Sequence, residues 1–228
     1  MRKKSIYFLQ FVLVFMLFYL SSLFQLIPIY MFGIRNATPS INVLLSTFSA
    51  AILVIILYFI YREDLKKEWK IFEKDKSGIM NTTFNCWFVG LIIMLISNAL
   101  IIYLTGSKGA NNEILVQKMI KAMPIFMFID AGLLAPFNEE LIFRKAVRKF
   151  IDTKWLYVIM SGLIFGALHI VGTYHTPTDI LFIIPYGVLG SMFALAYYKT
   201  KTIYSTIFMH MIHNSVLVGI SILVNVIL

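Results

Sequence analysis

Cysteine and charged residues are scarce in this sequence of 228 residues, and each shortage limits what the protein can be. A single cysteine, Cys86, excludes an intramolecular disulfide and a cysteine-based metal cluster. Only 14% of the residues are charged, whereas a soluble domain carries about a quarter. Because 60% are hydrophobic, the composition excludes a soluble globular protein and predicts a polytopic membrane protein.

Short segments of alternating hydrophobicity, which a transmembrane barrel requires, are missing as well. Long apolar runs take their place, and at roughly 20 residues per span the chain has room for about seven helices. We therefore predict an all-α transmembrane bundle of about seven spans, with the active site inside the bundle. The predicted spans cover residues 6–32, 41–61, 84–104, 116–144, 155–171, 179–198 and 203–228. Residues 62–81 carry six basic and five acidic side chains and are predicted to form a loop.

Basic residues follow the predicted spans in a regular way, and the net charge is +9. They are dense at the N-terminus and after the second, fourth and sixth spans. By the positive-inside rule this distribution places the N-terminus in the cytoplasm, and it gives no reason to expect a nucleic-acid partner. We expect an integral protein of a bacterial plasma membrane, in contact with membrane lipids.

A polar stretch lies in the predicted fourth span, where Glu139, Glu140 and Arg144 follow Pro136. An ionisable group inside a membrane costs about 3 kcal/mol on insertion scales, so such groups are read as functional. Glu140 and Arg144 are four residues apart, a spacing that brings opposite charges together on one helix face. Glu139 lies about 100° away from Glu140 around the helix axis. It has no cation nearby on its own helix, so its partner must come from another helix. The proline removes a backbone donor and bends the helix, which turns Glu139 towards the bundle interior.

The alternative for these carboxylates is a place among the lipid headgroups, where Arg148 and Lys149 mark the cytoplasmic interface. Glu139 is about nine residues, or roughly 14 Å, from Arg148 along a helix. A glutamate side chain is too short to reach that far. We therefore predict that Glu139 faces the interior of the bundle.

The predicted fifth span carries one histidine, His169, and no Asp, Glu, Lys or Arg. Gly162 and Gly166 in the same span form a small-x-x-x-small stripe, which permits close contact with another helix. Taken alone, His169 could equally be a packed residue whose ring donates to a backbone carbonyl.

The predicted seventh span begins with His210, His213 and Asn214. His210 and Asn214 are four residues apart on one face and indicate a polar cavity, whereas His213 flanks that face. His175 lies in a loop and is predicted to be solvated. The roles of His213 and His175 cannot be derived from the sequence.

Together these residues place one glutamate, two histidines and one asparagine on three spans of the same bundle. Such a set can activate a water molecule and stabilise an oxyanion. The sequence contains no His-Glu-x-x-His, which excludes the ordinary zinc-protease helix.

The order of these motifs resembles the CPBP intramembrane proteases, also called the Abi or CAAX prenyl protease-like family, which includes the Ras-converting endopeptidase. The three motifs are Glu139-Glu140-x-x-x-Arg144, Phe165-x-x-x-His169 and His210-x-x-x-Asn214. The resemblance covers roughly residues 124–215. We therefore predict one membrane domain over 1–228, with scaffold spans over 1–115 and a CPBP-like catalytic core over 116–215.

The resemblance implies an intramembrane endopeptidase whose substrate is a hydrophobic or lipid-modified peptide or protein, either membrane-associated or exported. It also implies a role for each motif residue. Glu139 and His169 would activate water, and His210 and Asn214 would stabilise the oxyanion. The remaining motif residues, Glu140, Arg144 and Phe165, would support the site.

The family has been described both as metalloprotease and as a glutamate-type protease without metal. A metal-dependent enzyme would hold zinc or another divalent cation with Glu139, His169 and His210. Because an asparagine amide is a poor zinc ligand and a good oxyanion donor, we predict a glutamate-type mechanism without a cofactor.

Two other functions are compatible with these residues. A membrane protein of the same fold could act by binding alone, for example as a bacteriocin-immunity factor. Intramembrane Glu and His residues also form proton relays in small transporters, but the chain has no internal repeat of the transporter kind. Neither the substrate nor the oligomeric state can be read from the sequence.

Overall fold

The computed structural model describes the backbone of residues 2–227 and the side chains of residues 4–225. Met1 and Leu228, the ends of the predicted domain, lie outside the described residues. Within this range the chain is helical and contains no strand, so the predicted all-α class is confirmed. The helices are α1 (Arg2–Tyr19), α2 (Leu26–Phe32), α3 (Pro39–Lys74), α4 (Lys76–Thr105), α5 (Asn111–Ala122), α6 (Pro124–Ile129), α7 (Ala135–Glu139), α8 (Val147–Phe150), α9 (Lys154–Ile170), α10 (Ile183–Thr200) and α11 (Ile203–Ile227). Tighter 3-10 turns cover Ser21–Gln25 and Pro177–Phe182, and wider π turns cover Asp130–Leu134 and Glu140–Ala146.

The number of membrane spans differs from the prediction. In the described part of the chain four helical segments are long and apolar enough to cross a membrane, namely Pro39–Lys74, Lys76–Thr105, Pro177–Thr200 and Ile203–Asn225. The N-terminal pair α1–α2 adds a fifth if its 45° bend lies within one span. Helix α9 has only 17 residues, and the predicted fourth span is divided into short helices and π turns. Seven spans are therefore not confirmed, because two of the predicted ones are short or interrupted.

The loop predicted over residues 62–81 is wrong. Helix α3 continues to Lys74 and α4 begins at Lys76, so only Asp75 separates two long helices. The Asp75 side chain accepts a hydrogen bond of 2.9 Å from the backbone N–H of Gly78 and caps the start of α4. Mixed charge suggested a loop, but Lys and Glu are good helix formers, and this stretch continues the helix.

The helical extension of α3 is anchored to the rest of the bundle through Glu68. Its carboxylate accepts hydrogen bonds from the Lys145 ammonium, from the Tyr197 hydroxyl at 2.9 Å and from the backbone N–H of Ile203 at 2.7 Å. These bonds connect α3 to the second π turn (Glu140–Ala146), to α10 and to the start of α11. The charge of Glu68, which belongs to the stretch predicted as a solvated loop, therefore helps to hold these four elements together.

Helices α9 and α10 approach each other closely through the glycine stripe of α9. A Cβ atom at Gly162 would lie 2.5 Å from the carbonyl oxygen of Gly187. A Cβ atom at Gly166 would lie 2.7 Å from the carbonyl oxygen of Ile183. The predicted close helix contact is confirmed, and it brings the aromatic face of α10 against His169.

Candidate active site

The two glutamates lie in residues 124–150, which are helical without a gap. Two π turns interrupt the α-helical hydrogen bonding of this segment, and we call it the broken helix. Helix α7 lies between two π turns, a kind of helix irregularity that is frequent at functional sites. Residues 140–147 are all buried. Helices α1, α9, α10 and α11 contact the second π turn, so its side chains meet residues from distant parts of the chain.

Pro136 explains the break before α7. Proline has no N–H, so a carbonyl group four or five residues earlier, that of Gly132 or Ala131, loses its helical donor. Helix α11 replaces it, since Asn214 Nδ2 donates to the Ala131 oxygen at 2.9 Å and Ser215 Oγ donates to the Gly132 oxygen at 3.5 Å. The backbone stays helical through Pro136 with a π turn before it, and side chains of α11 bond to carbonyl groups of that turn.

Glu140 forms the ion pair with Arg144 that the four-residue spacing predicted. Arg144 Nε lies 3.3 Å from Glu140 Oε1, and both side chains are 0% exposed. The guanidinium lies 4.3 Å from the ring centre of Phe165 and 5.7 Å from that of Phe193. The opposite charge and the two aromatic faces offset part of the cost of burying this arginine, whose guanidinium nitrogens have no hydrogen-bond partner among the described residues.

His210 connects the two glutamates. Its Nδ1 atom is 2.9 Å from Glu140 Oε1, and its Nε2 atom is 3.7 Å from Glu139 Oε2. Because a carboxylate accepts, Nδ1 carries the hydrogen of the shorter contact. Phe193 stacks on the imidazole with ring centres 5.0 Å apart. Glu139 thus finds its partner on another helix, as predicted, while Glu140 has a second partner that helix spacing did not indicate.

His169 is held by its own helix and by two aromatic rings. Its Nδ1 atom lies 2.8 Å from the carbonyl oxygen of Phe165, which can only accept, so in the neutral ring Nε2 keeps a free lone pair. The rings of Phe165 and Tyr186 lie 4.3 Å and 4.5 Å from the imidazole, centre to centre. Phe165 also lies 6.0 Å from His210. In the described part of the chain no hydrogen bond joins His169 to Glu139.

Asn214, His213 and His175 each have a hydrogen-bond partner outside the glutamate pair. The Asn214 amide is bonded to the backbone of the broken helix. His213 is buried and its Nδ1 accepts a hydrogen bond of 3.3 Å from Trp87 Nε1. His175 is exposed in its loop, as predicted, and its backbone N–H donates to Asp179 Oδ2 at 2.8 Å.

Sequence reasoning missed several residues at this site. Phe193 and Tyr186 stack on the two histidines; they are seven residues apart on α10, which placed them on one face without indicating any chemistry. Asp130 is a carboxylate inside the predicted fourth span, and the criterion that selected Glu139 applied to it as well. Its carboxylate accepts hydrogen bonds from Ser46 and Thr47 of α3.

The described residues do not form a metal-binding group. No three His, Cys, Asp or Glu side chains among them are placed to hold one ion. Glu139, His169 and His210, the ligands predicted for a metal-dependent enzyme, are therefore not placed to hold one ion together. His210 uses one ring nitrogen for Glu140 and His169 uses one for a backbone carbonyl. We therefore derive no catalytic step through a metal.

Comparison with known proteins identifies relatives among membrane peptidases. Residues 121–216 match the family model described as type II CAAX prenyl endopeptidase Rce1-like. "Putative membrane peptidase YdiL" of Bacillus subtilis (strain 168) is 24% identical over 95% of this chain and 88% of its own. "Membrane-embedded CAAX protease MroQ" of Staphylococcus aureus (strain USA300) is 26% identical over 74% of this chain and 68% of its own. An uncharacterized protein of Mycoplasma capricolum is 33% identical over 73% of this chain and 51% of its own. No solved structure matches the chain.

Proposed function

We propose that this chain, whose residues 121–216 match the model of the Rce1-like CAAX prenyl endopeptidases, hydrolyses a peptide bond next to Glu139. The proposed substrate is a hydrophobic or lipid-modified peptide or protein, either membrane-associated or exported. We further propose that the protein lies in a bacterial plasma membrane with its N-terminus in the cytoplasm. The matched relatives with descriptive names are called peptidase or protease, and no observation favours the immunity or transport alternatives.

The observation that carries the proposal is the different state of the two glutamates. Glu140 is 0% exposed and bonded to both Arg144 and His210, so its charge is compensated. Glu139 is 15% exposed, and His210 Nε2 at 3.7 Å is its nearest ionic partner among the described residues. A partly exposed carboxylate with one free face can bind a water molecule and take its proton.

In the proposed reaction Glu139 accepts a proton from water while the hydroxide oxygen attacks the carbonyl carbon of the scissile bond. The His169 Nε2 lone pair accepts the second water hydrogen as a hydrogen bond and orients the nucleophile. The tetrahedral intermediate collapses when the protonated Glu139 returns its proton to the leaving amine. Water is thus split between the new carboxylate and the new amine, and the glutamate is regenerated.

The oxyanion of the intermediate requires donors. We propose that His210, held in place by the Glu140 carboxylate at Nδ1, donates to the oxyanion through an Nε2–H. Asn214 Nδ2 has two hydrogens, of which one is bonded to the Ala131 oxygen. The second is the proposed oxyanion donor. Arg144 pairs with Glu140, and Phe165 packs against Arg144 and both histidines.

The mechanism needs no cofactor, because the attacking water is activated by a carboxylate. A metal would add Lewis-acid activation of the carbonyl, but the described side chains do not gather three ligands for one. We therefore propose a glutamate-type protease.

The test is a comparison of membrane peptides in cells that make the wild-type chain or the Glu139→Gln variant. The amide is nearly isosteric but cannot take a proton, so cleavage products present with the wild type are expected to disappear. Glu113→Gln, which changes an exposed glutamate of α5, is the matched control. If the Glu139→Gln variant yields the wild-type products, Glu139 is not the base. If biological activity survives without cleavage, the protein acts by binding.

A further inference from the structure

A cavity of about 210 Å³ lies beside Glu139, on the side of the broken helix that faces the N-terminal segments. Its volume is roughly seven times the 30 Å³ that one water occupies in the liquid, which is room for one side chain. Glu139 and Asp130 contribute the two carboxylates of its wall. Polar side chains from the N-terminal turn and from α3 form the opposite wall: Ser21, Ser22, Gln25, Ser46 and Ser49. The predicted scaffold region therefore supplies eight of the twelve residues that line this cavity.

The cavity is rich in hydrogen-bond acceptors. Its described lining residues include two carboxylates and no Lys, Arg or His. Two of the hydroxyl hydrogens are already used inside the protein, since Ser46 donates to Asp130 and Ser49 donates to the Ser21 carbonyl. Hydroxyls that donate elsewhere offer only their lone pairs to the cavity.

Asn138 gives an independent sign that a donor is missing. Its side chain lines the same cavity and is 2% exposed. Nδ2 donates to the Ala50 carbonyl at 3.0 Å, whereas the buried Oδ1 atom has no hydrogen-bond partner among the described residues. A buried amide oxygen without a partner is uncommon in native proteins and calls for a ligand or water that donates to it.

Asp130 differs from Glu140 and Glu68, two other carboxylates of the bundle. Glu140 and Glu68 each have a cationic partner, Arg144 and Lys145. No ion pair among the described residues involves Asp130, and its described partners are two hydroxyls of α3, those of Ser46 and Thr47. A carboxylate in an apolar bundle that has only neutral donors leaves most of its charge uncompensated.

We infer that this cavity is a subsite for a positively charged side chain of the substrate, lysine or arginine, with Asp130 as its counter-ion. The inference rests on the proposed peptidase function. A lysine ammonium brings three donors and an arginine guanidinium five, which match the carboxylates and the Asn138 oxygen. Because Glu139 belongs to the same wall, the basic residue is held within a few residues of the scissile bond. Asp130 takes the charge, which leaves Glu139 free to act as the base.

The first experiment measures cleavage preference. Full-length protein in detergent is incubated with a randomised peptide mixture, and cut sites are read by mass spectrometry. The wild type is expected to prefer Lys or Arg near the cut over norleucine at least about tenfold, and Asp130→Asn should bring this ratio to about one. Glu113→Gln, which leaves the cavity wall unchanged, should keep the wild-type ratio. Cleavage by the wild type without a basic preference overturns the inference.

The second experiment does not depend on catalysis. Butylguanidinium, a mimic of the arginine side chain, is expected to raise the melting temperature of the wild type and of Glu113→Gln but not of Asp130→Asn. Neutral pentanamide should shift none of them. If the cation stabilises the wild type but no peptide is cleaved, the cation site stands and the peptidase function fails. If Asp130→Asn is stabilised as strongly as the wild type, the subsite is disproved whether or not peptides are cleaved.

Discussion

Glu139 and Glu140 are neighbours in the chain but lie in opposite surroundings. On one side of the broken helix, Glu140 is enclosed by Arg144 and His210, and aromatic rings of α9 and α10 cover that pair. On the other side, Glu139 lines a cavity with hydroxyl groups of the N-terminal segments and α3. A rotation of about 100° along one helix therefore separates a compensated charge from an available one.

The two surroundings give the proposed base and its proposed support different environments. On the aromatic side, a bond of 2.9 Å to Glu140 fixes the His210 imidazole, whose other ring nitrogen lies 3.7 Å from Glu139. On the other side, the cavity leaves room beside Glu139. The proposed supporting charge, Glu140, and the proposed working charge, Glu139, thus occupy adjacent positions, and both contact His210.

The largest effect is expected from Glu139→Gln, which removes the working charge alone. Loss of a general base lowers the rate by about 10²–10⁴-fold. Since the side chain is partly exposed and its nearest ionic partner is 3.7 Å away, the melting temperature in detergent should stay close to that of the wild type. Activity and thermal unfolding are measured on the same preparation. A variant that loses both would place Glu139 among the structural residues.

Arg144→Met tests the supporting side. Breaking a buried ion pair leaves Glu140 uncompensated and is expected to cost about 3–5 kcal/mol in the free energy of unfolding. Chemical denaturation in detergent measures this quantity. Arg62→Met is the control, because Arg62 is 58% exposed and pairs with its neighbour Glu63. Equal stability of both variants would show that the pair with Glu140 contributes nothing.

Asn214→Ala tests the bond between α11 and the broken helix. It leaves the Ala131 carbonyl without a donor and is expected to cost about 1–3 kcal/mol of stability, in addition to any loss of activity. Pro136→Ala restores a backbone N–H in the same turn and should reduce the cost of Asn214→Ala in a double-mutant cycle. If the losses of unfolding free energy of the two variants simply add, the Asn214 bond does not compensate for the missing N–H of Pro136.

The smallest effect is expected from removal of metal. Protein treated with a chelator and verified by metal analysis should keep its activity within about twofold, because the proposed base is a carboxylate. Loss of activity that zinc restores would show that Glu139 and the histidines rearrange around an ion.

Part of this architecture follows from local patterns in the chain. The spacing of Glu140 and Arg144 fixes their pair because four residues complete about one helical turn. The glycine stripe at Gly162 and Gly166 predicts the close contact with α10 because glycine has no side chain to hold a neighbour away. Charge patterning misled at residues 62–81, since the partner of Glu68 is Lys145, which is distant in the sequence.

Other parts depend on packing between distant segments. The bond between His210 and Glu140 joins residues 70 positions apart, and the bond between Asn214 and Ala131 joins residues 83 apart. The contact of Ser46 with Asp130 spans 84 positions. The hydrophobic periodicity of one helix shows which of its faces is buried, but it does not predict which face of a distant segment packs against it.

The sequence by itself determined the membrane class, the helical fold, the ion pair of Glu140 with Arg144 and the set of polar residues that merit attention. Composition and helix geometry suffice for these features because they act within a few turns of one segment. The tertiary structure alone decided that His210 contacts both glutamates, that α11 satisfies the break at Pro136, and that hydroxyls of α3 face Asp130. Those contacts form only when the hydrophobic packing of the whole bundle brings the segments together.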